Sequence, residues 1–215
     1  MPLLTTCIGA YPKPDYVKLP DWFNVPAGPD TADPTKLWLD AMEGMGADAE
    51  KIVARGIRAA VNDQTDSGID IPTDGEIARE NYIHYHCRHL NGFDFVNLTE
   101  KEVRGGTYSA SLPSIVGPVS VKDSSIDAVS FEDAHRHNDL ALLEHFKTTS
   151  VIFGAVAIAK SQVESVEEIK ERLLLALNHI DHDRLIAAPD CGLGLLGREL
   201  AMAKMRNLSL AAKSI

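Results

Sequence analysis

Three features of the sequence predict a parallel α/β architecture. Short apolar, β-branched runs alternate with segments of helical periodicity. One of those helical segments opens on a capping-box pattern. Polar residues recur just past the strand ends, where parallel sheets bind their ligands.

The elements follow in order. Leu3 to Ala10 is a short apolar run ending in Gly9-Ala10, with Pro12 and Pro14 behind it, and reads as a buried strand opening into a loop. The breaker-rich stretch from Gly28 to Pro34 reads as surface loop. From Ala49 to Ser67 the pattern turns helical, with Ile52, Gly56, Ile57, Ala60 and Val61 on one stripe and Gly68 at the capping position. Ile69 to Asp74 reads as a second strand, with Gly75-Glu76 at its end. Gly105 to Thr107 and Leu112 to Val121 suggest a β-rich excursion. Alternation then returns. Ala128 to Phe131 is a strand ending at Glu132, and Asn138 starts a short helix with Leu140, Leu143 and Phe146 inward. Ser150 to Ile158 is the most strand-like run. Ser165 and Glu168 form the capping box of a helix carrying Val166, Ile169, Leu173, Leu177 and Ile180. Arg184 to Ala188 is a last strand before Pro189-Asp190-Cys191-Gly192, and a helix from Gly197 to Ala212 closes the chain. The sum is about five strands, against the eight of a closed barrel.

Composition narrows the function classes. The 215 residues are 45% hydrophobic and 24% charged, the balance of a globular protein. A formal charge of −10 argues against nucleic acid or an anionic membrane as partner. No apolar run approaches the roughly 20 residues of a membrane span. The opening Met1 to Cys7 lacks a basic region followed by an apolar stretch, so a cytoplasmic location is expected. Cys7, Cys87 and Cys191 are too few and too odd in number for a disulfide framework.

Four places carry candidate chemistry. Cys191 lies between a strand and a helix, where a thiolate serves as metal ligand or nucleophile; a buried structural cysteine is the competing reading. Glu132 ends a strand, with His135 and His137 close behind, and reads either as a metal-binding carboxylate or as part of a solvated charged loop. His84, His86, Cys87 and His89 are dense but match no standard zinc spacing, and read as packing. Glu76 suits a substrate ammonium group, a base, or a helix-start carboxylate.

Taken together, these segments resemble the catalytic barrel of the cobalamin-independent methionine synthases. Thr5 to Pro12 resembles that family's opening strand with its Ile-Gly-Ser motif, and Asp74 to Arg79 its next strand end. Ser130-Phe131-Glu132 is similar to its Ser-Ile-Glu motif, and Pro189-Asp190-Cys191-Gly192-Leu193 to its closing motif. The resemblance implies a TIM-barrel-derived (β/α) fold with about five of eight strands, forming a single domain over residues 1–215 with an internal deletion near 122–125. It implies a cytoplasmic methyltransferase that moves the methyl group of 5-methyltetrahydrofolate to homocysteine on a zinc ion. Ile8 and Gly9 would bind the amino-acid part of homocysteine, Glu76 its amine, and Glu132 and Cys191 the zinc. Ala10 stands where the family has serine. The family's His-x-Cys strand, which completes the zinc ligands, is missing: Val121-Lys122-Asp123 runs directly into Ser124-Ser125. The alternatives are a non-catalytic remnant or splice form, or a transferase acting on another thiol such as coenzyme M. Exposed sheet edges would favour self-association or a partner chain.

Overall fold

The computed structural model describes residues 2–20, 34–79, 87, 90–103, 108–121 and 128–215. The chain divides into two compact units, one of Met1–Pro14, Arg55–Ile77 and Ile126–Ile215, the other of Asp15–Ala54 and Ala78–Ser125. The stretch 122–127, where the deletion is expected, lies outside the described residues.

The first unit is built on a parallel sheet. Strand β1 (Leu4–Thr5) pairs with β6 (Leu185–Pro189), β6 with β5 (Ser150–Val156), and β5 with β4 (Ala128–Phe131). Ile71 adds a parallel bridge to Thr6. The amide of Thr6 donates to Ala187 while the carbonyl of Thr5 accepts from Ile71. These two groups belong to one peptide and point opposite ways, so Ile71 lies on the side of β1 away from β6. The spatial order Ile71, β1, β6, β5, β4 sets the last strand beside the first, as a (β/α) barrel does where its ends meet. All five expected strand positions fall in this sheet, although the second is reduced to the Ile71 bridge. Val151, Phe153, Ala155 and Val156 of β5 are all buried, as expected for a central parallel strand covered on both faces. Phe131 and Phe153 stack across β4 and β5 with ring centres 6.2 Å apart.

Helix α2 (Ala49–Asp66) ends as its sequence predicts. Gly68, at φ +86°, lets Gly68 N–H reach Thr65 O and Ile69 N–H reach Gln64 O, the paired bonds of a Schellman cap. Helix α3 (Val166–Ala176) carries the expected capping box: Ser165 Oγ accepts from Glu168 N–H, and Glu168 Oε2 accepts from Ser165 N–H at 2.8 Å. Ile169, Leu173 and Ala176 form its buried stripe, whereas Ile180 lies beyond its end. Ser165→Ala should lower the thermal midpoint by roughly 2–4 °C, as loss of one cap does in a chain of this size; a scanning fluorimetry shift under half a degree would refute the cap's role. Helix α4 (Arg198–Lys213) buries Ala201, Met205 and Leu208 with the polar Lys204 and Ser209.

Two expectations need correction. The short helix expected from Asn138 is a 3₁₀ segment over Leu140–His145, capped by Asp139, whose carboxylate accepts from Ala141 N–H. Leu140 and Leu143 are buried, and Phe146 is half-buried. Of the breaker-rich stretch expected as loop, residues 28–33 lie outside the described residues, and Pro34 opens helix α1 (Pro34–Met45). Proline's fixed φ and missing N–H suit the first helical position, so the residue read as a breaker is a starter.

In the second unit, β3 (Tyr108–Val121) takes in the β-rich excursion expected over Leu112 to Val121 and pairs antiparallel with β2 (Leu90–Val103), a strand not expected from the sequence; residues 105–107 lie outside the described residues. Gly92, at φ +86°, lies against the backbone of Gly117 and Pro118, and a Cβ there would meet Pro118 O at 2.6 Å. The α1 residue Trp38 donates from Nε1 to Ala78 O at 3.0 Å.

Candidate functional site

The loops at the carboxyl ends of β1 and β6 meet closely. A Cβ on Gly192 would lie 2.5 Å from Ala10 N, and one on Gly9 would lie 3.3 Å from Gly192 Cα and 3.9 Å from Glu76 Oε2. Gly9, Glu76 and the Cys191-Gly192 turn are therefore neighbours, with Ile8 half-buried beside Gly9. Gly9 has φ +63°, which turns the chain as it leaves β1.

Glu76 has φ +51° and is the one non-glycine residue with positive φ among the described residues. Backbone held in this region costs of order 1 kcal/mol and persists where its surroundings enforce it. Here Tyr11 N–H donates to Gly75 O at 2.9 Å, and Glu76 N–H donates to Asp74 Oδ1 at 2.9 Å. The buried Gln64 amide binds Thr73 on both sides, accepting from its N–H and donating to its carbonyl. Sequence reading passed over Gln64, a buried polar residue on a helix whose apolar stripe drew the attention.

Cys191 is half-buried and Glu132 is exposed. They follow β6 and β4, which flank β5, so their strands lie roughly 10 Å apart. Asp190 and Asp133, their immediate neighbours, are buried and hydrogen-bonded. Asp190 Oδ1 accepts from Asp133 N–H at 3.0 Å and Ala134 N–H at 2.8 Å, and its Oδ2 from His135 N–H at 2.7 Å. Asp133 is gripped by Arg172 through Nε and Nη2, by Asn138 N–H at 2.8 Å, and by His137 Nδ1 at 3.3 Å. Burial pushes the Asp133 carboxyl upward, but the Arg172 hydrogen bonds, the Asn138 amide and the Arg172 charge outweigh it and hold it below 3.8.

Both histidines near Glu132 are engaged. His135 Nδ1 contacts Asp190 Oδ2 at 2.7 Å, and its Nε2 accepts from Ile158 N–H and Ala159 N–H at 3.1 and 2.8 Å. His137 Nδ1 faces Asp133 O at 3.1 Å. Cys7 is buried against Met205 (Sγ to Sδ, 3.3 Å), and burial pushes its thiol up to about 12, so it supplies no thiolate near neutral pH. The histidines at 84, 86 and 89 lie outside the described residues; Cys87 is half-buried and free.

Among the described residues no group of three His, Cys, Asp or Glu side chains could hold a metal ion. Zinc needs three or four protein ligands, so the donors Glu132 and Cys191 do not by themselves fit that ion. Nor is any described helix long and apolar enough to cross a membrane.

The strand order and the strand-end cluster define a barrel-derived α/β protein with its candidate site at the carboxyl end of the sheet. A family profile described as "Cobalamin-independent synthase, Catalytic domain" matches residues 108–214. The methionine synthase of Thermococcus kodakarensis is 33% identical over 87 residues, which are 40% of this chain and 26% of that protein. The methionine synthase of Methanothermobacter thermautotrophicus is 34% identical over 89 residues, 40% of this chain and 29% of its own length. That of Saccharolobus solfataricus is 25% identical over 141 residues, 65% of this chain and 37% of its own. The chain thus spans about a quarter to two fifths of these relatives. The fold matches a B12-independent methionine synthase from a Shewanella species in complex with selenomethionine, with a TM-score of 0.73 at 19% identity over 100% of this chain and 98% of that one. Over residues 108–214, which include Glu132 and Cys191, the chain is similar to the cobalamin-independent methionine synthase family, as its strand-end motifs lead one to expect.

Proposed function

We propose that this chain carries the amino-acid-binding part of a thiol methyl-transfer site, with homocysteine as acceptor and 5-methyltetrahydrofolate as donor. The observation that carries the reading is the convergence of Gly9, Glu76 and Cys191-Gly192 at the open end of the sheet. Gly9 and Gly192 let the two strand-end loops close on each other beside Glu76. Glu76, at φ +51°, would take the ammonium group, and Ile8 and Gly9 the amino-acid part beside it. Cys191 and Glu132 are the donors this chain offers a zinc ion, whose chemistry would be to hold the acceptor sulfur as thiolate. Two donors are too few to hold that ion by themselves. Among the described strands β4 is paired on one side alone, and a second chain pairing there would be one source of further donors.

Calorimetry with L-homocysteine tests the binding reading, and methyl transfer from 5-methyltetrahydrofolate tests the activity. Binding weakened about tenfold or more in Glu76→Gln, which removes a charged hydrogen bond, is the expected result. No binding by the intact chain, with or without added zinc, would favour the second reading, a non-catalytic relative. That reading draws on the lack of a three-donor cluster among the described residues.

A further inference from the structure

The strand ends that carry Glu132 and Cys191 are tied together by the side chains of Asp190 and His135. Asp190, at the end of β6, gathers three consecutive amides, those of Asp133, Ala134 and His135, from the loop that leaves β4. His135 then reaches past Asp190 to the loop that leaves β5 and accepts from two consecutive amides, Ile158 and Ala159. A nitrogen that accepts two N–H groups carries no proton, so the ring proton is on Nδ1 and donates to Asp190 Oδ2. Asp190 is 1% exposed, so the bonds it accepts are not exchanged for water at little cost, whereas the bonds of His135 to Ile158 and Ala159 lie at the surface. The chain continues directly from Asp190 into Cys191, and directly from Glu132 into the first of the gathered amides.

We propose that Asp190 and His135 are positioning residues, a clamp across the ends of β4, β5 and β6 that sets where Cys191 and Glu132 stand. Their service to methyl transfer rests on the function proposed above, but the clamp itself is read without any substrate. It also removes His135 from the candidate metal ligands, because both ring nitrogens are spent on the fold.

The first test uses the wild-type chain with ¹⁵N-labelled histidine. The His135 ring should show a protonated Nδ1 and a bare Nε2; the opposite tautomer or a doubly protonated ring at neutral pH overturns the clamp. The second test is the rate of Cys191 alkylation by iodoacetamide in a Cys87→Ser background, where buried Cys7 reacts slowly. Asp190→Asn places an amide against the gathered N–H groups, and the rate at Cys191 should rise about tenfold as the strand end loosens. His135→Gln loses the donor toward Asp190 and should rise likewise. His135→Asn keeps a donor near the Nδ1 position and should largely restore the slow rate. Arg184→Leu serves as the comparison, because Arg184 precedes β6 at its opposite end, bonded to Asp181 and Phe146 O. It should lower the thermal midpoint and leave Cys191 unchanged. Alkylation rates that simply follow thermal stability across all four variants would refute a positioning role. Failure of homocysteine binding with these results intact would count against the proposed function and leave the clamp standing.

Discussion

Gly154→Ala is expected to destabilise the chain by about 3 kcal/mol, the upper part of the range for overpacking a closed core. Gly154 lies in the central strand β5, next to the start of the β6 turn. A Cβ there would fall 2.2 Å from Asp190 Oδ1 and 2.8 Å from Asp190 Cα. The second contact is with backbone, so a change of rotamer cannot relieve it. If Asp190 moves instead, its bonds to Asp133 and Ala134 N–H are broken inside the core, and buried amides left without partners cost about 1–3 kcal/mol. Left-handed backbone plays no part, because Gly154 is not among the positive-φ glycines. The effect is purely one of volume. Urea unfolding should show a lower midpoint at unchanged slope. A variant within half a kcal/mol of wild type would mean that β5 and β6 are further apart than described.

Gly154 also shows where the sequence stops being legible. Ser150 to Ile158 announces a buried strand by composition, and so do Ala128 to Phe131 and Arg184 to Ala188. Buried parallel strands are near-continuous apolar runs whatever their neighbours. The order of those strands is long-range information, carried by Thr5 and Thr6 bonding Ile71 on one side and Ala187 on the other. No local period encodes it; the resemblance to a barrel did. The candidate site divides in the same way. Glu76 and Cys191 are legible because each sits where an apolar run breaks into polar residues, and Gly9 is legible through the family resemblance. Asp190 and Asp133 stand beside Cys191 and Glu132 and carry no local pattern that marks them. What makes them structural is burial plus partners 39 to 57 positions away in the chain, and a reading of local pattern sees neither. The histidines behind Glu132 are open to two readings in the sequence for a related reason: the bonds that hold His135 come from groups 23 and 55 positions away.

Arg172→Leu should cost about 3–5 kcal/mol at pH 7, the usual consequence of leaving one half of a buried ion pair behind. The Asp133 side chain is fully buried and that of Arg172 is 17% exposed, so the carboxylate cannot turn to water when the guanidinium is lost. Its remaining partners, Asn138 N–H and His137 Nδ1, come from its own loop and do not tie it to α3. The pH dependence separates this explanation from simple loss of packing. In the wild type the folded carboxyl is held below 3.8, so the unfolded chain binds the proton more tightly. The pair's contribution is then complete above about pH 5 and fades as pH falls through that lowered value. Without Arg172 the downward pull shrinks, so the folded carboxyl of the variant takes up its proton at a higher pH than that of the wild type. The stability gap between wild type and Arg172→Leu should therefore narrow as pH falls from 7 toward 4, while carboxylates common to both chains cancel in the difference. Adding Asp133→Asn to Arg172→Leu removes the stranded charge and should recover part of the loss at pH 7, giving a coupling energy between the two sites. A gap that stays constant from pH 7 to 4, with additive single substitutions, would show that Arg172 stabilises the loop through its aliphatic stem and that the ion pair contributes nothing.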